Sequence, residues 1–260
     1  MKYGISVSEG CIASPGGLIY YKLARTSAPG RRPLIIFSHE IGCTHARGAK
    51  YARPLGEYGC HLLTFDFLGG GAHCRGGVPT TEMTVLTELR DLEAVLDAAR
   101  AWDFADPERI YLMGASQGGF VSAACAARRA GELAGLILLY PGLTIRQVMR
   151  RRFGSLGNVP DTFELNDWIT LGRPYVEAVW DYDIDADIRA YTGPALIIQG
   201  SEDPVVSGRD VRRAAGLYRD AELHVIPGAG HGFEGRDVSE AVGYIESFID
   251  RTGRENRAAV

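Results

Sequence analysis

The sequence predicts an α/β fold, a doubly wound and mostly parallel sheet with an inserted cap. Two observations carry this expectation. Short apolar runs alternate with longer amphipathic ones along most of the 260 residues, and one long interval late in the chain interrupts that rhythm. Composition agrees: 46% hydrophobic and 23% charged residues describe an ordinary globular chain, which excludes disordered, collagen-like and coiled-coil proteins. At about 150 residues per domain the length allows between one and two domains, and one domain with an insertion fits best.

Taken in order, the first 25 residues are expected to form an antiparallel edge. Pro33–Ser38, His61–Phe67, Arg109–Gly114, Gly135–Tyr140, Ala195–Gly200 and Glu222–Ile226 read as strands, being short, largely apolar and bounded by Gly, Pro or polar residues. Helices are expected at Arg47–Tyr58, Thr84–Ala101, Gln117–Ala130, Gly208–Tyr218 and Val238–Asp250. The clearest is Thr84–Ala101, where Val85, Leu86, Leu89, Leu92, Leu96 and Ala99 recur every three or four residues and so make one apolar stripe. Pro141–Gly193 is far longer than the usual connection of about 2–6 residues. It is rich in aromatics and places Ile145, Val148, Met149 and Phe153 at helical spacing, so it is no linker. The expected organisation is a core of residues 1–140 and 194–260 with a cap at 141–193.

The charge sum of 28 basic and 32 acidic residues is a net −4, scattered along the chain, which argues against nucleic acid as a partner. The N-terminal residues lack the apolar core of a signal peptide, and no apolar run approaches the roughly 18 residues of a membrane span. A cytoplasmic protein without a membrane partner is expected. Five cysteines, an odd number without a Cys-x-x-Cys pair, indicate neither a disulfide framework nor a zinc ribbon.

The chemistry concentrates at three points. Gly114-Ala115-Ser116-Gln117-Gly118 fits the Gly-x-Ser-x-Gly elbow and lies between an expected strand and an expected helix, where that motif must lie. A serine hydroxyl is a weak nucleophile and needs a base, which needs a carboxylate to hold its tautomer. Downstream, Asp203 follows one expected strand and His231 follows the next, inside Gly228-Ala229-Gly230-His231-Gly232. Glu202 is a competing carboxylate; the proline and two valines that follow favour Asp203. Of the six histidines only His231 lies in a glycine-rich loop late enough in the chain to serve Ser116. Backbone amides for a developing oxyanion are expected from Gln117, at the helix start, and from Ile41, in the loop after the first parallel strand.

With these motifs the chain resembles the α/β-hydrolases, and more narrowly the cinnamoyl (feruloyl) esterase-like branch of bacterial serine esterases, over most of residues 33–250. The matching features are His39, the elbow with Gln117, the Phe65-Asp66-Phe67 strand end followed by Gly69-Gly70-Gly71, the Met83–Glu88 stretch, and the Asp203 and His231 loops. The departure is Glu40-Ile41, where that branch has glycine and an aromatic. A carboxylate there either repels the developing oxyanion and slows turnover or points to solvent, where its field is screened, and the second is the favoured expectation.

The resemblance implies a serine carboxylesterase for a small-molecule ester, with a hydroxycinnamoyl acyl group and no cofactor or metal. Acylglycerol lipase, acyl-peptide hydrolase and a non-catalytic receptor remain as alternatives, and a homodimer stays open. Trp168, Tyr175 and Trp180 offer the cap flat apolar faces for a planar acyl chain, with Asp161, Asp167, Asp181 and Asp183 near enough in sequence to accept from phenolic hydroxyls. They equally suit the cap's own small core. The run Arg146, Arg150, Arg151 and Arg152 reads as a solvated face.

Overall fold

The computed structural model describes residues 2–165 and 167–258. A hairpin of β1 (Ile5–Ser14) and β2 (Gly17–Thr26) forms the antiparallel edge. After it come β3 (Arg32–Ser38), α1 (Ala49–Tyr58), β4 (His61–Phe65), α2 (Val85–Arg100), β5 (Ala105–Ala115), α3 (Gln117–Arg128) and β6 (Gly135–Leu139). The insertion holds α4 (Ile145–Phe153), a small hairpin of β7 (Thr162–Leu165) and β8 (Ile169–Gly172), α5 (Arg173–Trp180) and α6 (Ile184–Ala190). The chain then returns through β9 (Ala195–Gly200), α7 (Gly208–Ala215), β10 (Ala221–Ile226) and α8 (Arg236–Ala258).

The main sheet runs β1-β2-β4-β3-β5-β6-β9-β10, parallel from β4 to β10. Its period of two sorts the apolar residues onto two faces. Leu34 and Ile36 join Leu112, Leu138 and the stripe of α2 on one side. Ile35 and Phe37 join Met113, Leu139, Tyr51 of α1 and Phe248 of α8 on the other. Both faces are covered, so the central strands read as unbroken apolar runs.

Local chemistry sets the boundaries. Thr84 and Thr87 close a reciprocal capping box at the start of α2, at the residue where the pattern begins. β4 stops two residues short of its sequence pattern because the next amides leave the sheet: Phe67 N–H donates to His39 Nε2 and Leu68 N–H to Asp91. β5 starts earlier than its apolar pattern, at Ala105, which pairs with Arg32 across an irregular register. In the insertion, Ile184 and Ile188 of α6 are buried in the cluster that includes α3. The basic run is less solvated than expected, since Arg150 donates to the Trp180 carbonyl and to Asp181, and Arg152 to the Glu164 carbonyl.

Candidate active site

Ser116 sits between β5 and α3 with φ 51° and ψ −117°, a conformation a non-glycine residue holds only when its surroundings impose it. The imposition is backbone on backbone. A Cβ on Gly114 would lie 2.2 Å from the Gly118 carbonyl oxygen, and one on Gly118 would lie 2.2 Å from that of Ser38. The Ser116 N–H donates to Leu139 O, while the Ser116 carbonyl accepts from Gly119, Phe120 and Gly142.

β9 and β10 deliver the two partners. His231 Nε2 lies 3.0 Å from Ser116 Oγ, and Asp203 Oδ2 lies 2.9 Å from His231 Nδ1. Both carboxylate oxygens of Asp203 are engaged: Oδ1 accepts from the amides of Val205 and Val206, and Oδ2 also from Gln199 Nε2 at 3.1 Å. Burial alone would raise this carboxyl, but the bonds from His231, Val206 and Val205 outweigh it and hold its pKa below the ordinary range. Glu202, the sequence competitor, is exposed and takes no part in this line.

The loop after β3 is locked around its backbone. His39 Nδ1–H donates to the Glu40 carbonyl at 2.7 Å, since its Nε2 must accept from Phe67 N–H. Cys43 N–H donates to the same Glu40 carbonyl, and Gly42 N–H donates to Gly70 O at 2.6 Å. This turn brings Ile41 onto the cavity that also exposes Ser116 and Gln117. Among the described residues, neither the Ile41 nor the Gln117 amide donates to a protein acceptor.

Glu40 corrects a sequence expectation. It does not point to solvent; it is 7% exposed, with Oε1 accepting from Tyr140 OH at 3.0 Å and from Arg47 at 3.2 and 3.3 Å. Burial pushes its pKa up, but the charge of Arg47 and the hydrogen bonds it receives, those from Arg47 and Tyr140 among them, together more than cancel this, so the group is held below the usual carboxylate range. A buried charge needs such a partner.

The Gln117 side chain has a separate task. Its Nε2 donates to Glu88 of α2 at 2.8 Å, and its Oε1 accepts from Tyr175 OH of α5 at 2.6 Å, all three residues being buried. Burial raises the Glu88 carboxyl to about 8. Sequence reasoning placed Glu88 only in a matching stretch, and did not single out Arg47 or Tyr140.

The cavity measures about 190 Å³ and is mostly aliphatic, lined by Ile145, Val148 and Met149 of α4 together with Leu165, Val205 and Val206. Of the three aromatics expected to read the substrate, only Tyr175 lines it. Trp168 is 51% exposed and stands against Gly42, where a Cβ would lie 1.7 Å from its ring. Trp180 packs on the core beneath the Arg150 guanidinium. None of the four aspartates lines the cavity; Asp181 pairs with Arg150, and Asp183 caps α6.

His39, Asp66 and Cys74 are the one group among the described residues close enough to share a metal ion. Their atoms are already committed, Asp66 to His45 and the Arg75 amide, and Cys74 Sγ to the Cys43 carbonyl.

A family model described as "Alpha/beta hydrolase family" matches residues 45–241. The chain belongs to the α/β-hydrolase family. Within it, the chain is related to the feruloyl-esterase-like serine esterases: Est1E from Butyrivibrio proteoclasticus, solved with ferulic acid bound, superposes with a TM-score of 0.85 at 25% identity, covering 94% of this chain and 98% of that one. The α/β-hydrolase GrgF from Penicillium sp. sh18 shares the fold, with a TM-score of 0.79 at 17% identity over 95% and 99% of the two chains. A curated relative named for carbamate hydrolysis, RutD of Variovorax paradoxus (strain S110), is 31% identical over 88 residues, which span 34% of this chain and 32% of that protein. Among the described residues, no helix is long and apolar enough to cross a membrane.

Proposed function

We propose that this hydrolase cleaves carboxylic esters through an acyl-enzyme on Ser116. The observation that carries the reading is the continuous line from Ser116 Oγ through His231 to Asp203, at 3.0 and 2.9 Å, opening on a cavity that both candidate oxyanion residues share. As Ser116 Oγ attacks the ester carbon, its proton passes to His231 Nε2, while Asp203 accepts from Nδ1–H and stabilises the imidazolium. The carbonyl oxygen becomes an oxyanion facing the Ile41 and Gln117 amides. Collapse expels the alkoxide, which takes the proton from His231 Nε2. Water then attacks the acyl-enzyme with His231 again as base, releasing the acid and restoring Ser116. Glu40 does not weigh against turnover, because Arg47 neutralises it.

The acyl group we favour is hydroxycinnamoyl, supported by the likeness to Est1E, whose structure holds ferulic acid. Residues 141–193 act as the cap that shapes its pocket. An aliphatic lining suits a flat conjugated chain, which gains about 25 cal/mol per Å² of apolar surface buried. The reading extends to a cytoplasmic setting, in which the five free cysteines stay reduced.

Turnover of methyl ferulate, chlorogenate, methyl butyrate, acyl glycerols and peptide amides, measured side by side, tests both levels. The esters should turn over, Ser116→Ala should lose at least three orders of magnitude, and a fluorophosphonate should label the wild type alone. Activity retained by Ser116→Ala refutes the mechanism. Preference for butyrate over ferulate refutes the acyl assignment and leaves the esterase reading intact.

A further inference from the structure

We infer that Glu40, Arg47 and Tyr140 form a clamp that positions the His231 imidazole and the Ile41 amide relative to one another. The inference rests on the reading of Ser116 as nucleophile and His231 as its base, and it assigns positioning roles to residues that touch neither substrate nor reacting atoms.

Three segments distant in sequence meet here. Tyr140 directly follows β6, and its hydroxyl donates to Glu40 Oε1 at 3.0 Å. Its ring meets His231 edge to face at 4.9 Å and Phe233 at 4.8 Å, so one side chain touches the residue before Ile41 at its tip and the base along its ring. Arg47 makes the second tie. Its Nε and Nη2 donate to Glu40 Oε1, its Nη1 lies 3.5 Å from Glu234, and its Nη2 lies 3.0 Å from where a Cβ on Gly232 would stand. The loop that carries His231 is therefore contacted at His231 and Phe233 by Tyr140 and at Glu234 by Arg47, the two groups that also hold Glu40.

Two features indicate that the clamp serves geometry more than stability. Tyr140 has a φ of 37°, a region that bulky residues avoid and occupy only when the neighbouring contacts dictate it. Glu40 is a buried carboxylate whose Oε2 finds no hydrogen-bond partner among the described residues. An ion pair between a buried carboxylate and a partly exposed arginine is weak as a source of stability, but its directional bonds fix relative position. The bonds of this pair lead to Tyr140, whose ring packs on His231, and to Glu234, three residues after His231.

The test compares Glu40→Gln, Glu40→Ala and Tyr140→Phe with the wild type and with Ser116→Ala. Active sites are counted by end-point fluorophosphonate labelling, kcat and KM are measured on p-nitrophenyl butyrate, and thermal unfolding is followed in parallel. Tyr140→Phe and Glu40→Ala should lower kcat per labelled site 10- to 100-fold with KM within twofold. Glu40→Gln keeps an oxygen for Tyr140 and should fall between them and the wild type. A merely structural role would lower Tm or the labelled fraction and leave kcat per labelled site unchanged, which would overturn the inference. Should Glu40→Ala not fold, the near-isosteric Tyr140→Phe and Glu40→Gln decide. If Ser116→Ala is silent while these variants keep kcat per labelled site within twofold, the clamp alone is refuted; if Ser116→Ala stays active, the underlying serine reading fails instead.

Discussion

Removing the hydroxyl of Tyr175 should unseat the cap from the nucleophile elbow at a cost that the structure bounds. Tyr175 OH donates to Gln117 Oε1 at 2.6 Å, and the two residues are 1% and 2% exposed. Water cannot replace the lost donor without opening the contact, so Tyr175→Phe leaves a buried carboxamide oxygen unpaired, a cost of about 1–3 kcal/mol. For a domain of this size that corresponds to a fall in Tm of roughly 2 to 12 °C. The comparison that isolates the bond is the same change in a Gln117→Met background, where the buried Tyr175 hydroxyl has already lost its acceptor and Tyr175→Phe should be neutral to stabilising. Thermal unfolding by circular dichroism measures all four proteins. A Tm for Tyr175→Phe within 1 °C of the wild type, or an equal loss in both backgrounds, would refute the reasoning. Because the Gln117 amide is a proposed oxyanion donor, the wild-type-background variant should also lose turnover.

Asp203→Asn should keep the fold and lose about three to four orders of magnitude in kcat. The Val205 and Val206 amides hold an oxygen at Oδ1, so the new NH₂ must face His231 Nδ1 and impose the tautomer that cannot accept from Ser116; wild-type kcat in this variant would exclude Asp203 from the line. Because the Asp203 pKa is depressed, its contribution to stability is present above the unfolded value, near 3.8, and is lost as pH falls through the lower folded one. Glu88 has the opposite sign: its folded value of about 8 lies above the ordinary 4.5, so its contribution is full below 4.5 and is lost as pH rises toward 8, with a slope of up to about 1.4 kcal/mol per pH unit. Urea unfolding across that range should show the slope diminish in Glu88→Gln, with a remainder below about 6 from Asp91, itself raised to about 6 by burial; an unchanged slope would show that Glu88 does not titrate there.

The strands and helices were legible because each obeys a local rule. Continuous apolar runs such as Leu34–Phe37 bury both faces of a covered sheet, and the stripe of α2 has one period and one partner surface. The boundaries that differ do so through distant partners: His39 and Asp91 draw the amides of Phe67 and Leu68 out of the sheet, and nothing near residue 67 announces either. The β7–β8 hairpin has four-residue strands, too short for alternation to stand out within the aromatic-rich insertion.

The same division runs through the site. Ser116, Asp203 and His231 could be read together because each sits just after a strand, and strand ends of a parallel sheet converge on one edge whatever lies between them in sequence. Trp168 and Trp180 show where composition misleads: an aromatic in a cap is drawn equally to its own packing, and the cavity wall is made instead by Ile145, Val148 and Met149, whose helical spacing was visible but whose facing direction was not. Glu40 is the sharpest case. A carboxylate in place of glycine invites the expectation of solvent, because the partners that make burial tolerable cannot be recognised locally. Arg47 is seven residues away but separated by a turn, and Tyr140 lies one hundred residues on, at the end of a strand that joins the sheet beyond β5. A charge in an otherwise apolar neighbourhood is therefore better read as a demand for a partner than as a forecast of exposure. Searching the strand ends and loops that a parallel sheet brings to the same edge for an arginine and a buried hydroxyl would have found both.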